Sequence, residues 1–224
     1  MSGDRAPTGS PGGWVLHEWT GTAADFHALE PVPERALWWC RVETPALILG
    51  SSQDAADVDA DAARAAGLDV VRRRSGGGLV PVFPDGTVWI DVTIPRHDPL
   101  WVDDVTRSMT WLGRVFAEAL SPWVPAVVHD GAFDRGADGA TVCFASTSPG
   151  EVFVDGAKLV GISQRRGRDG ARMQCVLYRE WSPSAWTGLL TDPDVARRVG
   201  ELRVATLDVA AADIAAAVFA ALPR

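Results

Sequence analysis

Residues 152–166 read VFVDGAKLVGISQRR, with an Asp-Gly pair between two apolar runs. A type I′ turn needs positive φ at both of its central residues, so Asp-Gly between such runs predicts a tight β-hairpin. The hairpin joins a strand at 151–154 to a strand at 157–164 and sets Phe153 opposite Lys158. This antiparallel pair predicts a sheet around which the rest of the chain folds.

Lys158 is the only lysine among the 21 basic residues of the chain; the others are all arginine. The two-residue period of a strand predicts that it shares a face with Val160 and Ile162. Gly161 leaves an open position between them, and a glycine inside a strand often marks a β-bulge or a close backbone approach to a ligand. A compact point charge beside apolar neighbours and an open position favours a pocket wall. A solvated sheet edge is the alternative.

Residues 70–80 read VVRRRSGGGLV, in which three arginines precede three glycines. Unshielded backbone N–H groups in such a turn can hold a phosphate or a carbonyl oxygen. Alternation along the strand predicts that Arg72 and Arg74 point one way and Arg73 the other. The stretch matches neither a Walker A loop nor GxGxxG. It favours an anion site, and a plain turn after a solvated strand end is the alternative.

Composition excludes several classes of protein. The net charge of −8 disfavours nucleic-acid binding, which needs a positive contact surface. Two arginine clusters in an acidic chain instead fit an anionic small molecule or an acidic protein partner. Three scattered cysteines and four scattered histidines predict no metal site and no disulfide framework, as in a reduced cytoplasmic protein. No run of about 18 apolar residues occurs, so no membrane span is expected.

The remaining pattern predicts the α+β class, with a mixed, largely antiparallel sheet flanked by helices. Further strands are predicted at 14–19, 36–41, 45–50, 68–73 and 87–94, and helices at 57–66, 103–120 and 209–222. In the middle helix an apolar stripe repeats at steps of three and four, formed by Val105, Met109, Leu112, Phe116 and Leu120. Residues 1–13, rich in Gly and Pro, are expected to be a disordered tail, and 14–224 a single domain.

Three blocks resemble the lipoate–protein ligase A and octanoyltransferase family of the biotin/lipoate protein ligase superfamily. LILGSSQD is similar to the family's first block, with Gly50 and Gln53 in place. RRRSGGG is similar to its arginine–serine–glycine motif, and CFASTSPGEVFVDGAKLVGISQRR to its lysine block. The three blocks occur in the family's order and span residues 50–166. Their combination carries the resemblance, since each block alone is weak.

The resemblance implies the biotin/lipoate ligase catalytic-domain fold and attachment of lipoate or octanoate to one lysine of a carrier domain. In the family's ligases, ATP and magnesium convert lipoate to an adenylate before transfer. The matched Lys158 would contact the acyl carbonyl and the phosphate of the adenylate. The other positions implied to bind the substrate or adenylate are Arg73, Ser75, Gly76, Gly77, Gly78, Gly161, Ser163 and Gln164. The implied partners are lipoyl domains of 2-oxoacid dehydrogenase complexes or the glycine cleavage carrier protein.

The sequence also departs from the family. No histidine follows the glycines, where LVPVFPDG stands, and ARMQCVLY replaces the usual His-Gly after the lysine block, with Cys175 near that place. The length leaves no room for the extra C-terminal domain that many of the ligases carry. These departures leave the acyl donor open.

Cys143 offers a second chemistry. Some octanoyltransferases of the family have Cys-Phe at a similar distance before the lysine, and that cysteine carries the acyl group as a thioester. A thiolate is a strong nucleophile, and nearby positive charge favours it. The alternative is a buried structural cysteine on a strand. In sequence, no histidine lies near Cys143 to serve as its base.

Three hypotheses follow. The first, favoured by a small margin, is a lipoate–protein ligase that forms lipoyl-adenylate. The second is an octanoyl or lipoyl transferase that uses a Cys143 thioester and an acyl carrier protein as donor. The third is a non-catalytic protein that binds the acyl group or its adenylate.

Overall fold

The computed structural model describes residues 8–9, 13–30 and 34–224. Its strands, in chain order, are Thr8–Gly9 (β1), Val15–Gly21 (β2), Ala36–Val42 (β3), Ala46–Leu49 (β4), Asp69–Arg72 (β5), Val80–Val82 (β6), Thr87–Pro95 (β7), Val127–Val128 (β8), Val152–Val154 (β9), Ala157–Arg166 (β10) and Gly170–Tyr178 (β11). Its α-helices are Ala23–Ala28 (α1), Ala60–Ala65 (α2), Thr110–Leu120 (α3), Pro193–Gly200 (α4) and Ala211–Ala221 (α5). Apart from β1 and Gly13, the predicted tail at 1–13 lies outside the described residues.

Two sheets form the fold, and they confirm the predicted α+β class with a mixed, largely antiparallel sheet. The large sheet has the order β1-β2-β3-β7-β11-β10-β9-β8, and the small one β5-β4-β6. In the large sheet β2 and β3 are parallel, and its other neighbouring pairs are antiparallel. In the small sheet β4 is parallel to β5 and antiparallel to β6.

The two faces of the large sheet have different neighbours, as β7 illustrates. Val88, Ile90 and Val92 belong to the core that α3 and α5 complete with their apolar stripes. Trp89 points to the opposite face and packs in a second core with residues of the small sheet. Asp91, also on this second face, is fully buried. Buried polar groups therefore collect between the two sheets, where the candidate site lies.

The predicted hairpin is confirmed in its turn and its first pairs. Asp155 and Gly156 both have positive φ, 49° and 75°, as a type I′ turn requires. Lys158 is paired with Phe153, as expected. The partner strand β11, nine residues long, is missing from the predicted strands.

A β-bulge makes the predicted face of Lys158 wrong. The register changes so that Val160 pairs with Val152, which leaves Leu159 as an extra residue in β10. An extra residue reverses the alternation of side chains beyond it. Val160 accordingly packs in the helix-covered core, while Lys158 and Gly161 both approach the Phe144 ring on the other side.

The predicted helix at 103–120 is shorter than expected, because α3 begins at Thr110. The Val105 carbonyl oxygen accepts hydrogen bonds from the Ser108 hydroxyl and the Gln164 amide instead of entering a helical ladder. Val105 is 57% exposed and does not belong to the apolar stripe. The remaining stripe residues are buried as predicted. No described helix has the length and apolar character needed to cross a membrane.

Candidate active site

The glycine turn that follows β5 is packed backbone against backbone. Gly77 has φ +96°, a region that branched side chains avoid. A Cβ on Gly50 would lie 1.8 Å from the Gly77 carbonyl oxygen, and one on Gly78 would lie 2.7 Å from the Val142 nitrogen. At Gly76 the same point has no atom within 4 Å. The turn is thus closely packed at Gly77 and Gly78, whereas there is open space beside Gly76.

Arg73 lies inside this turn and holds it together. Only 3% of the residue is exposed. Its guanidinium donates to the carbonyl oxygens of Ile48 at 3.2 Å, Gly76 at 2.8 Å and Gly78 at 2.7 Å. Burial lowers the pKa of this guanidinium, while the electrostatic interaction with the neighbouring Cys143 acts in the opposite direction.

The other two arginines point outward, so the predicted alternation is confirmed. Arg72 donates to the carbonyl oxygens of Gly50 and Gln53, and Arg74 forms an ion pair with Glu30. Each of the three guanidinium groups therefore has a partner within the chain.

Cys143 begins a 3-10 helix, Cys143–Ala145, rather than lying on a strand. Its backbone is bound directly to the residue after the glycines, since Cys143 N donates to Leu79 O at 3.0 Å. A Cβ on Gly77 would lie 3.6 Å from the Cys143 sulfur and 3.0 Å from Arg73 Nη2. The thiol, the guanidinium and the glycine turn are thus neighbours.

Lys158 is buried against the backbone of Cys143 and forms an ion pair with Glu151. Its Nζ donates to the Cys143 carbonyl oxygen at 3.0 Å and to Glu151 Oε1 at 2.9 Å, and it lies 2.8 Å from Glu151 Oε2. Both side chains are 2% exposed. Burial raises the pKa of the Glu151 carboxyl, and the positive charge of Lys158 opposes that rise. Sequence reasoning missed Glu151 because it appeared there only as the first residue of a strand.

An open cleft of about 530 Å³ lies over these groups. Its wall contains three carboxylates, those of Asp54, Asp57 and Glu151, and one guanidinium, that of Arg135. Exposed apolar side chains stand at its mouth, with Val105 57% and Phe133 53% exposed. The predicted site residues that line it are Gly76, Gly77, Cys143, Ser163 and Gln164.

A small apolar slot of about 30 Å³ lies beside the cleft, and Cys143 and Ser163 line both cavities. Its apolar wall is made by Ile48, Val80, Trp89, Phe144 and Val176. Gly161 and Ser163 line it as well. A Cβ on Gly161 would lie 3.0 Å from the Phe144 ring, so the glycine admits this ring.

A buried hydrogen-bond network closes the slot on the side of the large sheet. The Ser75 hydroxyl lies 3.1 Å from the Ser163 hydroxyl and donates to Gln174 Oε1 at 2.7 Å. Gln174 Nε2 lies 3.3 Å from Asp91 Oδ2 and 3.5 Å from His27 Nδ1. Asp91 is paired with Arg172, and burial raises the pKa of its carboxyl.

The structure brings most of the predicted site together, with some differences in role. Gln164 donates to Ser108 and Val105 and so ties β10 to the segment before α3. Cys175 lies in the helix-covered core, whereas its neighbour Gln174 faces the slot. Among the described residues no group of three or more metal-ligating side chains could hold an ion.

Residues 21–222 match the lipoyl protein ligase A/B catalytic domain. The chain belongs to this family. One curated relative, the octanoyltransferase LipM of Kyrpidia tusciae, is 31% identical over 201 residues, which cover 80% of this chain and 70% of that protein. Another, the octanoyl-[GcvH]:protein N-octanoyltransferase of an Exiguobacterium species, is 30% identical over 122 residues, 53% of this chain and 38% of that protein. The family and these relatives are named for enzyme activities, so the chain is a member of an enzyme family.

The fold of the family is also seen in solved structures. A bi-partite lipoate protein ligase of Thermoplasma acidophilum, described with its E2 lipoyl domain, superposes with a TM-score of 0.68 at 16% identity. The match covers 92% of this chain and 80% of that one. At this identity the likeness shows that the fold is shared, and the reaction has to be inferred from the residues of the site.

Proposed function

We propose that this protein is an acyltransferase that carries an octanoyl or lipoyl group on Cys143 and transfers it to a lysine of a lipoyl carrier domain. The observation that carries the proposal is the position of Cys143, which lines both the cleft and the slot and whose sulfur lies near the Arg73 guanidinium. A cysteine sulfur is a nucleophile that can hold an acyl group as a thioester. The names of the two curated relatives support the same activity.

The reaction has two balanced steps. In the first, the Cys143 sulfur bonds to the carbonyl carbon of the acyl group on its carrier, the carrier's bond to that carbon breaks, and the leaving group takes the thiol proton. In the second, the neutral amine of the acceptor lysine attacks the same carbon. The C–N bond forms, the C–S bond breaks, and the proton lost by the amine returns to the Cys143 sulfur.

The other residues would support these steps by position and charge. Lys158 fixes the Cys143 backbone by donating a hydrogen bond to its carbonyl oxygen. Glu151 holds Lys158 in place. Arg73 keeps the glycine turn closed around the thiol.

The charge of the cleft favours a cation as its second occupant. The Glu151 carboxylate is paired with Lys158. Asp54 and Asp57 against Arg135 then leave the cleft wall one net negative charge. This charge favours the approach of an acceptor lysine as an ammonium, which loses a proton to solvent before it attacks, over that of a triphosphate. The arginines of the glycine turn, which the sequence offered as an anion site, are each bound to groups of the chain itself.

The ATP-dependent ligase that the sequence favoured remains the second candidate. The open position at Gly76 supports it, because the turn there could accept a phosphate. ATP would enter this acidic cleft as its magnesium complex. Non-catalytic binding is the third possibility.

Intact-mass and peptide mapping after incubation with different donors separate these activities. Octanoyl acyl carrier protein and octanoyl-GcvH test the transferase, while octanoate or lipoate with ATP and magnesium test the ligase. We expect a carrier donor to add one octanoyl group to the Cys143 peptide without ATP, and Cys143→Ser to abolish both acylation and transfer. Cys175→Ala removes a buried thiol outside the site and serves as the matched control.

A Cys143→Ser protein that releases pyrophosphate and lipoylates the carrier at the wild-type rate would overturn the proposal in favour of the ligase. Binding of acyl ligands without either reaction, in the wild-type protein, would overturn it in favour of the binding protein.

A further inference from the structure

His27 is a buried histidine at the slot that sequence reasoning did not connect with the site. It lies in α1, far from Cys143 in the sequence, yet both residues line the slot. His27 is 8% exposed, and its ring packs on Trp89 with ring centres 5.0 Å apart. The position of the imidazole is therefore well defined.

The neighbours of His27 decide which ring nitrogen carries the proton. Gln174 is oriented by two other groups, since its Oε1 accepts from Ser75 and its Nε2 lies by Asp91 Oδ2. The Gln174 Nε2 donor then also faces His27 Nδ1, which must accept. The proton of the neutral ring is thus on Nε2.

His27 Nε2 has no hydrogen-bond partner among the described residues, although it is buried. The other polar side chains of the slot are satisfied: Ser163 by Ser75, Gln174 by Ser75 and Asp91, and Arg73 by backbone carbonyls. A ligand that displaces water from this N–H group without accepting a hydrogen bond from it leaves a buried donor unpaired and therefore binds less tightly.

We propose that His27 is a specificity-determining residue, whose Nε2–H group makes the slot select acyl chains with a hydrogen-bond acceptor near the distal end. The inference rests on the proposed function, because it takes the slot as the seat of the acyl chain held at Cys143. A dithiolane sulfur or a terminal hydroxyl can accept from Nε2, whereas the methyl end of octanoate cannot.

The state of the ring suits this role. Burial lowers the pKa of His27 to about 3, and the positive charges of Arg172, Arg73 and Arg74 act in the same direction. The imidazole therefore remains a neutral donor under working conditions. The slot holds about 30 Å³, little more than one water-sized group, so an acyl chain can enter it only if the apolar walls move apart.

Calorimetric titration with three free acids tests the proposal: octanoate, lipoate and an octanoate with a terminal hydroxyl group. We expect the wild-type protein to bind the hydroxylated acid about tenfold more tightly than octanoate, with lipoate between them. His27→Phe keeps a flat ring but removes the donor, and it should abolish or reverse this preference. His27→Gln keeps an N–H donor and should retain part of it.

Thermal melts establish that both variants are folded, and His27→Leu replaces His27→Phe if the latter is not. Equal preference in the wild-type protein and in the variant without a donor would overturn the proposal, as would failure of all three acids to bind. Because binding of a free acid needs no thioester, loss of the Cys143 reaction alone leaves this test intact and counts only against the proposed function.

Discussion

The buried neutral histidine makes a quantitative prediction about stability and pH. The perturbation is a change from about pH 7 to about pH 5, applied to the wild-type protein and to His27→Gln. In the unfolded chain His27 takes up a proton near its ordinary pKa of 6.5, whereas in the folded protein it does so only near 3. The folded state therefore binds fewer protons between these values, and stability falls as the pH falls through this window.

The magnitude follows from the two pKa values. At about pH 5 the unfolded histidine is almost fully protonated and the folded one almost fully neutral, which gives a loss of about 2 kcal/mol relative to about pH 7. Asp91 and Glu151 act in the opposite direction, because burial raises their pKa values and protonation then favours the folded state. Comparing the two proteins cancels these contributions.

Denaturant unfolding at the two pH values measures the effect. We expect the wild-type protein to lose about 2 kcal/mol more than His27→Gln over this range. If both proteins lost the same amount of unfolding free energy, His27 would not be a buried neutral histidine. The selectivity proposed for the slot, which needs the neutral ring, would then also be refuted.

Further predictions concern the groups around the thiol. Lys158→Arg should abolish acyl transfer onto a lipoyl domain while the melting curve shows a folded protein, because the wider fork does not fit the contacts with Glu151; retained turnover would remove the lysine from the site. Gly77→Val should block binding of an acyl-adenylate analogue in calorimetry, since its φ of +96° resists a branched side chain, whereas Gly188→Ala, with open space at its Cβ and outside both cavities, should bind normally. Glu151→Gln should destabilise the protein by about 3 kcal/mol in denaturant unfolding, because it leaves a buried ammonium without its counter-charge; an unchanged unfolding midpoint would contradict the buried pair.

Local signals in the sequence were sufficient for much of the fold. Asp155-Gly156 defined the hairpin, because few pairs of residues adopt positive φ at both positions. Alternation placed Arg73 inside and its two neighbours outside. These features depend on a few adjacent residues, so they can be predicted from the local sequence alone.

The remaining features depend on tertiary contacts that the sequence does not state. The bulge at Leu159 has only a weak local signal, the glycine at 161, because KLVGI is also compatible with a regular strand. The start of α3 is set by hydrogen bonds that Gln164 and Ser108 make to the Val105 carbonyl. The likeness to a known family supplied the residues of the glycine turn and β10, but it did not supply His27, which reaches the slot only through packing of α1.

The backbone contacts around Cys143 have a consequence for mutational tolerance. The thiol is located by the main chain of the glycine turn and of residue 79, through close approaches that a Cβ at Gly50 or Gly78 would prevent. Two buried side chains add to that placement, because Lys158 binds the Cys143 carbonyl oxygen and Arg73 binds carbonyl oxygens of the turn. Under the proposed function, the other side chains that line the slot can change to fit a new acyl group while Cys143 keeps its position, whereas Gly50 and Gly78 have no room for a substitute. A protein built in this way can diversify its substrates without relocating its reactive atom.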